Sequence, residues 1–291
     1  MGVPGRLVTG GPGERMELTL DHVPFAWQDH DELVAEFERL GLAPEYGGVH
    51  DHGETHMSVL GFDDRSYLEL IADWGGGDHW LWPRHIAQDG GPAAWCLRVE
   101  DIAGETKRLV DAGYPVDGPA HGAREREDGR TVEWDRTAVG APEQRLLLPF
   151  LIADRTPLSY RVEPTDSVAG GPLTGLGQVV LAVEDIEAAV ERFRTLYRFP
   201  RPVTATVPGF GTVASVPGQP VAFAAGSDWL ADRLERFRPG PCSCLLATTD
   251  LEATREQFPL GEPVAWPDGR VAFFESEMLD RRLGVVERDE P

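Results

Sequence analysis

The sequence predicts an α+β fold of four βαβββ modules, paired into two domains with curled mixed sheets. Three observations lead to this prediction. A junction of apolar strand, aspartate and amphipathic helix occurs four times along the 291 residues. Strand-like segments, separated by Gly and Pro turns, follow each helix. A segment rich in proline and glycine, 158–173, lies between the second and third modules and is predicted to be a linker.

The first module has the most regular pattern. Its opening strand is predicted at 18–26. A helix follows at 31–40, where apolar residues recur every three or four positions until Gly41 stops the pattern. Three further strands are predicted at 43–49, 55–61 and 66–72.

The other three modules repeat this order. Each has an aspartate where a helix N-cap belongs, at Asp101, Asp185 and Asp250. The helices predicted after these caps are 105–112, 187–197 and 252–258. The strands predicted after the helices are 116–119, 131–134 and 145–152, then 203–207, 211–216 and 220–225, then 270–275 and 282–287. The domains are therefore predicted at 17–157 and 174–291.

Composition limits the kinds of partner. The chain has 49 Asp and Glu residues against 27 Lys and Arg, a formal net charge of −22, and Lys107 is its one lysine. Such a surface repels nucleic acid and anionic lipid, so we expect neither as a partner. The near-absence of lysine favours adaptation to a salty cytoplasm, which predicts a halophilic source.

Three features bear on the location of the protein. No apolar run approaches the roughly 20 residues of a membrane span. Residues 1–16 are rich in Gly and Pro, lack the apolar core of a secretory signal and are expected to form a disordered leader. The odd number of cysteines, three, argues against a disulfide framework. A cytoplasmic location is the resulting expectation.

Several short motifs suggest a family. Leu-Asp-His-Val at 20–23, Gly-Glu-Thr-His at 53–56, Tyr-Leu-Glu-Leu-Ile-Ala at 67–72 and Leu-Pro-Phe at 148–150 resemble the glyoxalase-like domain proteins of the vicinal oxygen chelate superfamily. The resemblance is specific over about 17–153 and mostly topological beyond it. It implies a cup-shaped sheet whose floor binds a divalent metal through the first and last strands of each module.

Carried over to this chain, the resemblance implies that His22 and Glu69 are metal ligands from the first module. The second module has Ala94 and Phe150 at the matching positions, and neither side chain can bind a metal. His56 could supply a third ligand. Two imidazoles and one carboxylate would suit Fe(II), Mn(II) or Zn(II) and leave positions open for substrate.

Each of these residues also has a structural interpretation. His22 could be an inward histidine with a hydrogen bond, and Glu69, the candidate catalytic residue, could be a solvated polar position. His50 and His52 lie in a Gly-flanked turn and are expected to be solvated. All eight histidines lie at or before His121, so we expect the site in the first domain. The second domain is then a scaffold, a dimer-mimicking partner or a metal-free pocket.

The connection at 73–91 is rich in tryptophan. Its aromatic residues either pack over the open end of the sheet or form a wall for an apolar ligand. Trp80, Trp82 and Phe150 are the candidate substrate-binding residues.

Two functions remain open. The first is a metal-dependent lyase, isomerase or dioxygenase that acts on a small oxygenated organic molecule. The second is a metal-free protein that binds or sequesters a small molecule, as bleomycin-resistance proteins do. No nucleotide cofactor is expected, because a phosphate-binding loop and the strand–helix context of a dinucleotide fingerprint are both missing. A small-molecule ligand is the expected partner, with a homodimer as one assembly to test.

Overall fold

The computed structural model describes residues 18–50, 53–75, 82–126 and 128–288. The predicted leader at 1–16 and two predicted residues, His52 and Trp80, lie outside these ranges. The strands of the first sheet are β1 (Leu20–Ala26), β2 (Glu45–Val49), β3 (Thr55–Gly61), β4 (Tyr67–Asp73), β5 (Gly91–Pro92), β6 (Cys96–Arg98), β7 (Val116–Glu125), β8 (Thr131–Val139) and β9 (Phe150–Asp154).

The second sheet contains eight strands, all from the later part of the chain. They are β10 (Gly175–Ala182), β11 (Val203–Val207), β12 (Gly211–Ser215), β13 (Val221–Ala225), β14 (Gly240–Thr248), β15 (Val264–Trp266), β16 (Gly269–Phe273) and β17 (Leu283–Glu287).

Seven α-helices connect these strands in the described part of the chain. They are α1 (His30–Arg39), α2 (Pro83–Ala87), α3 (Ile102–Asp111), α4 (Leu158–Arg161), α5 (Ile186–Tyr197), α6 (Asp228–Phe237) and α7 (Leu251–Gln257). None of them is long and apolar enough to cross a membrane.

The strand order confirms the predicted modules. The first sheet runs β2-β3-β4-β1-β6-β9-β8-β7, with β5 beside β1, and the second runs β11-β12-β13-β10-β14-β17-β16-β15. In each sheet the first and last strands of a module pair in parallel, and two modules join through antiparallel first strands. The result is two curled mixed sheets with few helices, as the α+β prediction required.

Aspartate caps start the helix of every module. The side chains of Asp29, Asp101, Asp185 and Asp250 each accept a hydrogen bond from the backbone N–H three residues later, at 2.8 to 3.0 Å. Each cap satisfies a donor that the helix leaves free, which stabilises the helix by about 1 kcal/mol. The N-cap predictions are therefore confirmed.

One hydrophobic core is shared by the two sheets. Residues from the helix-covered faces of both belong to a single buried cluster. Trp95 of the first half stacks on Phe193 of the second, with ring centroids 6.0 Å apart. The division into two domains stays a prediction, because this shared core joins the halves.

Several element predictions need correction. Residues 145–149 were predicted as strand, but they form a turn after a 3-10 helix at Pro142–Gln144, and β9 begins only at Phe150. Helix α6 was not predicted, although Ser227 caps it and Leu230, Leu234 and Phe237 have helical spacing. Neither were α2, β15 and α4, and α4 lies inside the segment predicted to be a linker.

Candidate functional site

The concave face of the first sheet, called here the first cup, encloses a cavity of about 550 Å³. Arg124 of β7 donates from Nη1 to the carbonyl oxygen of Gly47 on β2, at 2.5 Å. These two strands are the opposite edges of the sheet, so this hydrogen bond shows how far the sheet curls. The curl places residues from β1, β4 and β7–β9 around one space.

His22 and Glu69 meet at the floor of the first cup. In the parallel pairing of β1 with β4, His22 lies opposite Tyr67 and Pro24 lies opposite Glu69. Because strand side chains alternate between faces, His22 and Glu69 both point into the cup. His22 Nε2 lies 3.8 Å from Glu69 Oε2, and the side chains are buried. The structure therefore brings these two predicted residues together.

A second imidazole reaches the same carboxylate. His50 follows the end of β2, and its Nε2 lies 3.0 Å from Glu69 Oε1. Its other ring nitrogen, Nδ1, lies 2.8 Å from Thr55 Oγ1 on β3. His50 was predicted to be solvated, but it is half-buried with both ring nitrogens in hydrogen-bond contact, so this prediction is wrong.

His56 points away from this site. It lies opposite Ala72 in the pairing of β3 with β4, whereas Val59 lies opposite Glu69. His56 and Val59 are three positions apart along the strand, so their side chains lie on opposite faces. The His56 ring contacts His30 on the outer face, with centroids 4.2 Å apart. The predicted set of His22, His56 and Glu69 therefore does not converge.

The other predicted floor positions also face the cavity. Ala94 and Phe150 line it, and the Phe150 ring packs edge-on against His22 with centroids 5.3 Å apart. Trp82 lines the cavity as well, as expected for a substrate-binding residue. Two of the four ligand positions that the resemblance implies are thus occupied by the apolar residues Ala94 and Phe150. His50 adds a polar side chain that the resemblance did not imply.

A buried charge network holds His22 from behind. Asp21 Oδ1 lies 2.6 Å from His22 Nδ1. Arg161 of α4 donates to both oxygens of Asp21, at 2.5 and 2.8 Å, and also pairs with Asp154. Arg98 donates from Nε to Asp21 Oδ2 at 2.9 Å. With Nδ1 engaged by Asp21, His22 presents Nε2 to Glu69 and the cavity.

Both carboxylates of this floor stay ionised at neutral pH. Burial alone would raise the pKa of Asp21, but the charge and hydrogen bonds of Arg161, with His22, lower it well below its usual range. For Glu69, burial also acts to raise the pKa, and the hydrogen bond from His50 and nearby positive charges outweigh it, so the pKa is lowered. Glu69 is therefore a buried anion that faces the cavity.

Comparisons with known proteins agree with this architecture. A family model described as a glyoxalase-like domain matches residues 20–197, more than half of the chain. The chain belongs to the glyoxalase-like domain family. No curated protein matches it.

Several solved structures share the fold of this glyoxalase-like protein. A hypothetical protein from Staphylococcus aureus has a TM-score of 0.62 and 13% identity, covering 93% of this chain and 99% of that one. A xylose isomerase-like TIM barrel/4-hydroxyphenylpyruvate dioxygenase fusion protein has a TM-score of 0.58 and 16% identity, covering 97% and 50%. A triple mutant of 4-hydroxymandelate synthase from Streptomyces coelicolor has a TM-score of 0.57 and 13% identity, covering 94% of each chain.

Two groups of side chains in this glyoxalase-like protein have the chemistry of metal ligands. Ligand atoms of Asp21, His22 and Cys96 lie within 4.8 Å of one another. Asp21, however, is already bound by two guanidinium groups, and burial raises the pKa of the Cys96 thiol. A metal ion at this position would be repelled by the two guanidinium groups and would have a protonated thiol, a poor ligand, beside it. This group therefore fits a metal poorly.

The second group is the set of His22, His50 and Glu69. Both histidines direct Nε2 toward one ionised carboxylate while Asp21 and Thr55 hold their Nδ1 atoms. Metal-binding histidines in proteins are typically oriented in this way. By donor chemistry these residues fit a divalent metal, although their ligand atoms do not all lie within 4.8 Å of one another, as those of the first group do. Among the described residues, no guanidinium group is hydrogen-bonded to the Glu69 carboxylate.

Proposed function

We propose that the first cup is the active site of a divalent-metal-dependent enzyme acting on a small oxygenated organic molecule. The reaction class is that of a lyase, an isomerase or a dioxygenase. One observation carries this proposal: two histidine Nε2 atoms, each oriented by a partner on Nδ1, converge on the buried Glu69 carboxylate at the floor of a cavity.

His22, His50 and Glu69 would hold the metal. When bound there, a divalent ion supplies Lewis acidity that polarises a carbonyl or hydroxyl oxygen of the substrate. Open positions for substrate are available because Ala94 and Phe150 stand where the family has its other two ligands.

The remaining residues of the floor fix geometry and protonation. The His22 ring is held between the stacked ring of Tyr67, 4.7 Å away, and the edge of Phe150. Glu69, ionised and only 7% exposed, can accept a proton from a substrate carbon or hydroxyl group that reaches the floor. Trp82 and Phe150 add apolar surface to the lining of the same cavity.

The similar structures share the fold of this chain. The name of one of them, a fusion protein with a 4-hydroxyphenylpyruvate dioxygenase part, favours the dioxygenase among the three reaction classes. Because identity is 16% or lower, their substrates are not carried over.

A metal-free binding protein is the second candidate. The replacement of two ligand positions by Ala94 and Phe150 favours it, as does the aromatic lining by Trp82 and Trp134. Tryptophan fluorescence during a ligand screen separates the two functions. Quenching that is weaker after chelation and recovers when metal is restored supports the enzyme, whereas quenching that is the same with and without chelator supports the binding protein.

Metal retention is the direct test. Tag-free protein would be stripped with chelator, given one equivalent of Fe(II), Mn(II) or Zn(II), and analysed for metal after gel filtration. We expect wild type to retain one of these metals, and Glu69→Gln and His50→Gln to lose more than about 100-fold in affinity. Substituting residues that only orient metal ligands already costs about 10- to 100-fold.

His56→Gln is the matched control, since His56 lies on the outer face of the same sheet. It should retain metal as wild type does. Retention by Glu69→Gln, or no retention by wild type for any of the three ions, would contradict the metal-dependent proposal.

A further inference from the structure

The cavity of the first cup reverses the charge balance of the chain. Acidic residues outnumber basic ones in the sequence, 49 to 27. Among the described residues that line the cavity, arginines outnumber carboxylates instead, because Glu69 and Asp117 are the only acids. The arginines are Arg84, Arg124, Arg136, Arg145, Arg161 and Arg238.

Two of these arginines are neutralised by neighbouring carboxylates. Arg161 is ion-paired with Asp21 and Asp154, at 2.5 and 2.6 Å. Arg145 Nη2 lies 3.2 Å from Asp117 Oδ2. These pairs account for one of the two lining acids, Asp117.

Arg124 is the arginine whose surroundings are most informative. It is 8% exposed, and its guanidinium donates to two backbone carbonyls, those of Gly47 and Arg161. Among the described residues no carboxylate forms an ion pair with it. Burial lowers the pKa of Arg124, although the nearby Tyr67 and Glu69 act in the opposite direction. A buried cation without a paired anion is costly, and an anionic ligand would remove that cost.

Two of the five guanidinium donors are used by the carbonyl groups, so others remain for a ligand. The wall beside Arg124 is apolar, with Trp134, Phe150 and Ile152 lining the same cavity. A ligand that matches both features has a negatively charged planar group at one end and an apolar or aromatic body. Arginine recognises carboxylates through paired hydrogen bonds, which makes that group the best match.

We infer that the first cup selects organic carboxylates with an apolar or aromatic body, and that Arg124 contacts the carboxylate. This inference rests on the proposed function only for the location of the substrate site. The carboxylate then sits against β7, and the body of the ligand extends over Phe150 toward Glu69. Arg124 is a specificity-determining residue in this arrangement, separate from the proposed metal ligands His22, His50 and Glu69.

The test compares phenylacetate with phenylacetamide, which has the same shape and no charge. Binding of each to chelator-treated protein is followed by tryptophan fluorescence and calorimetry at low ionic strength. We expect phenylacetate to bind at least about tenfold tighter, because hydrogen bonds to charged groups are roughly twice as strong as neutral ones. The preference should shrink as salt is added.

In Arg124→Gln the ratio of the two dissociation constants, phenylacetamide over phenylacetate, should fall to about one. Arg124→Lys keeps the charge but loses the paired hydrogen-bond geometry, so it should retain part of the preference for phenylacetate. Arg130→Gln is the matched control, because Arg130 lies exposed in the turn after β7, outside the cavity lining. It removes the same charge and should leave the preference unchanged. Circular dichroism and thermal unfolding establish that each variant is folded.

If Arg124→Gln fails to fold, the inference is tested by the preference of wild type for phenylacetate and by the salt dependence of that preference. A cavity without net positive charge would show no preference and no salt dependence. Equal binding of the two probes by wild type, or an unchanged preference in folded Arg124→Gln, would overturn the inference. Because these measurements are made without metal, they can succeed when metal retention fails, or fail when metal retention succeeds. The two proposals are therefore tested independently.

Discussion

The first cup and the concave face of the second sheet, called here the second cup, have one topology and different interiors. The second cup is filled by its own side chains. Phe210 and Trp266 are buried there and pack edge to face, with ring centroids 5.5 Å apart. Gln178, which matches His22 in its distance before the helix cap, accepts a hydrogen bond from Trp266 Nε1 and donates to Ser215 Oγ, both at 2.8 Å.

The difference between the inward-facing residues of the two cups shows which residues make a candidate functional site on this fold. Glu69 lies opposite Pro24, two residues after His22, and at the matching position, two residues after Gln178, the second sheet has Ala222 opposite Val180. Gln178, Ser215 and Trp266 therefore pair their polar atoms with one another inside the second cup. In the first cup, two imidazoles and a carboxylate face a cavity instead. The same backbone therefore gives a core or a site according to a few inward residues.

Asp21→Asn is the strongest expected disruption of the first cup. It removes the anion shared by Arg161 and Arg98 and leaves Arg161 with Asp154 alone, so the free energy of unfolding should fall by about 3 to 5 kcal/mol. Chemical unfolding at pH 7 measures this. Asp111→Asn is the control, because Asp111 pairs with Lys107 on an exposed helix face and should change stability little. A loss below about 1 kcal/mol for Asp21→Asn would show that the network is not stabilising.

One substitution in each cup sharpens the comparison. Phe210→Ala removes a fully buried ring from the second cup and should cost about 3 to 4 kcal/mol in unfolding free energy. Phe150→Ala removes a half-buried ring beside an existing cavity and should cost about 1 kcal/mol, since fewer packing contacts are lost. Thermal and chemical unfolding of both variants tests this. Equal costs would mean that the first cup is packed as tightly as the second.

A third expected effect concerns the pH dependence of stability at the contact between the halves. His85 stacks on Phe237 of α6, with centroids 4.6 Å apart, and burial with the charges of Arg233 and Arg84 lowers its pKa to about 3. The unfolded chain binds this proton near pH 6.5, so the stabilisation is complete above that pH and declines as pH falls toward 3.

Between pH 7.5 and 5.0 the His85 contribution should fall by about 2 kcal/mol. His85→Gln should remove this part of the pH dependence, measured as the difference in unfolding free energy between variant and wild type at each pH. His121→Gln, at a half-exposed position, serves as the control. A constant difference between His85→Gln and wild type across this range would contradict the expectation.

Local patterns determined much of the fold. The four capping aspartates and the alternation of apolar residues specify the modules, because capping and strand periodicity act within a few residues. The same alternation placed Glu69 on the face opposite Leu68 and Leu70, and it brought Glu69 to the cup floor with His22. The helix signal at Ser227–Phe237 was also local and could have been found from the sequence.

Tertiary structure alone decided the rest of the site. His50 contacts Glu69 from a position just after the end of β2, whereas strand alternation turns His56 outward. Arg161 comes from a segment with the composition of a linker, 140 residues after Asp21. Such contacts depend on how the sheet curls and where distant segments cross it. These long-range arrangements leave no periodic signal in the sequence, so the residues that complete the cup became visible only in the folded chain.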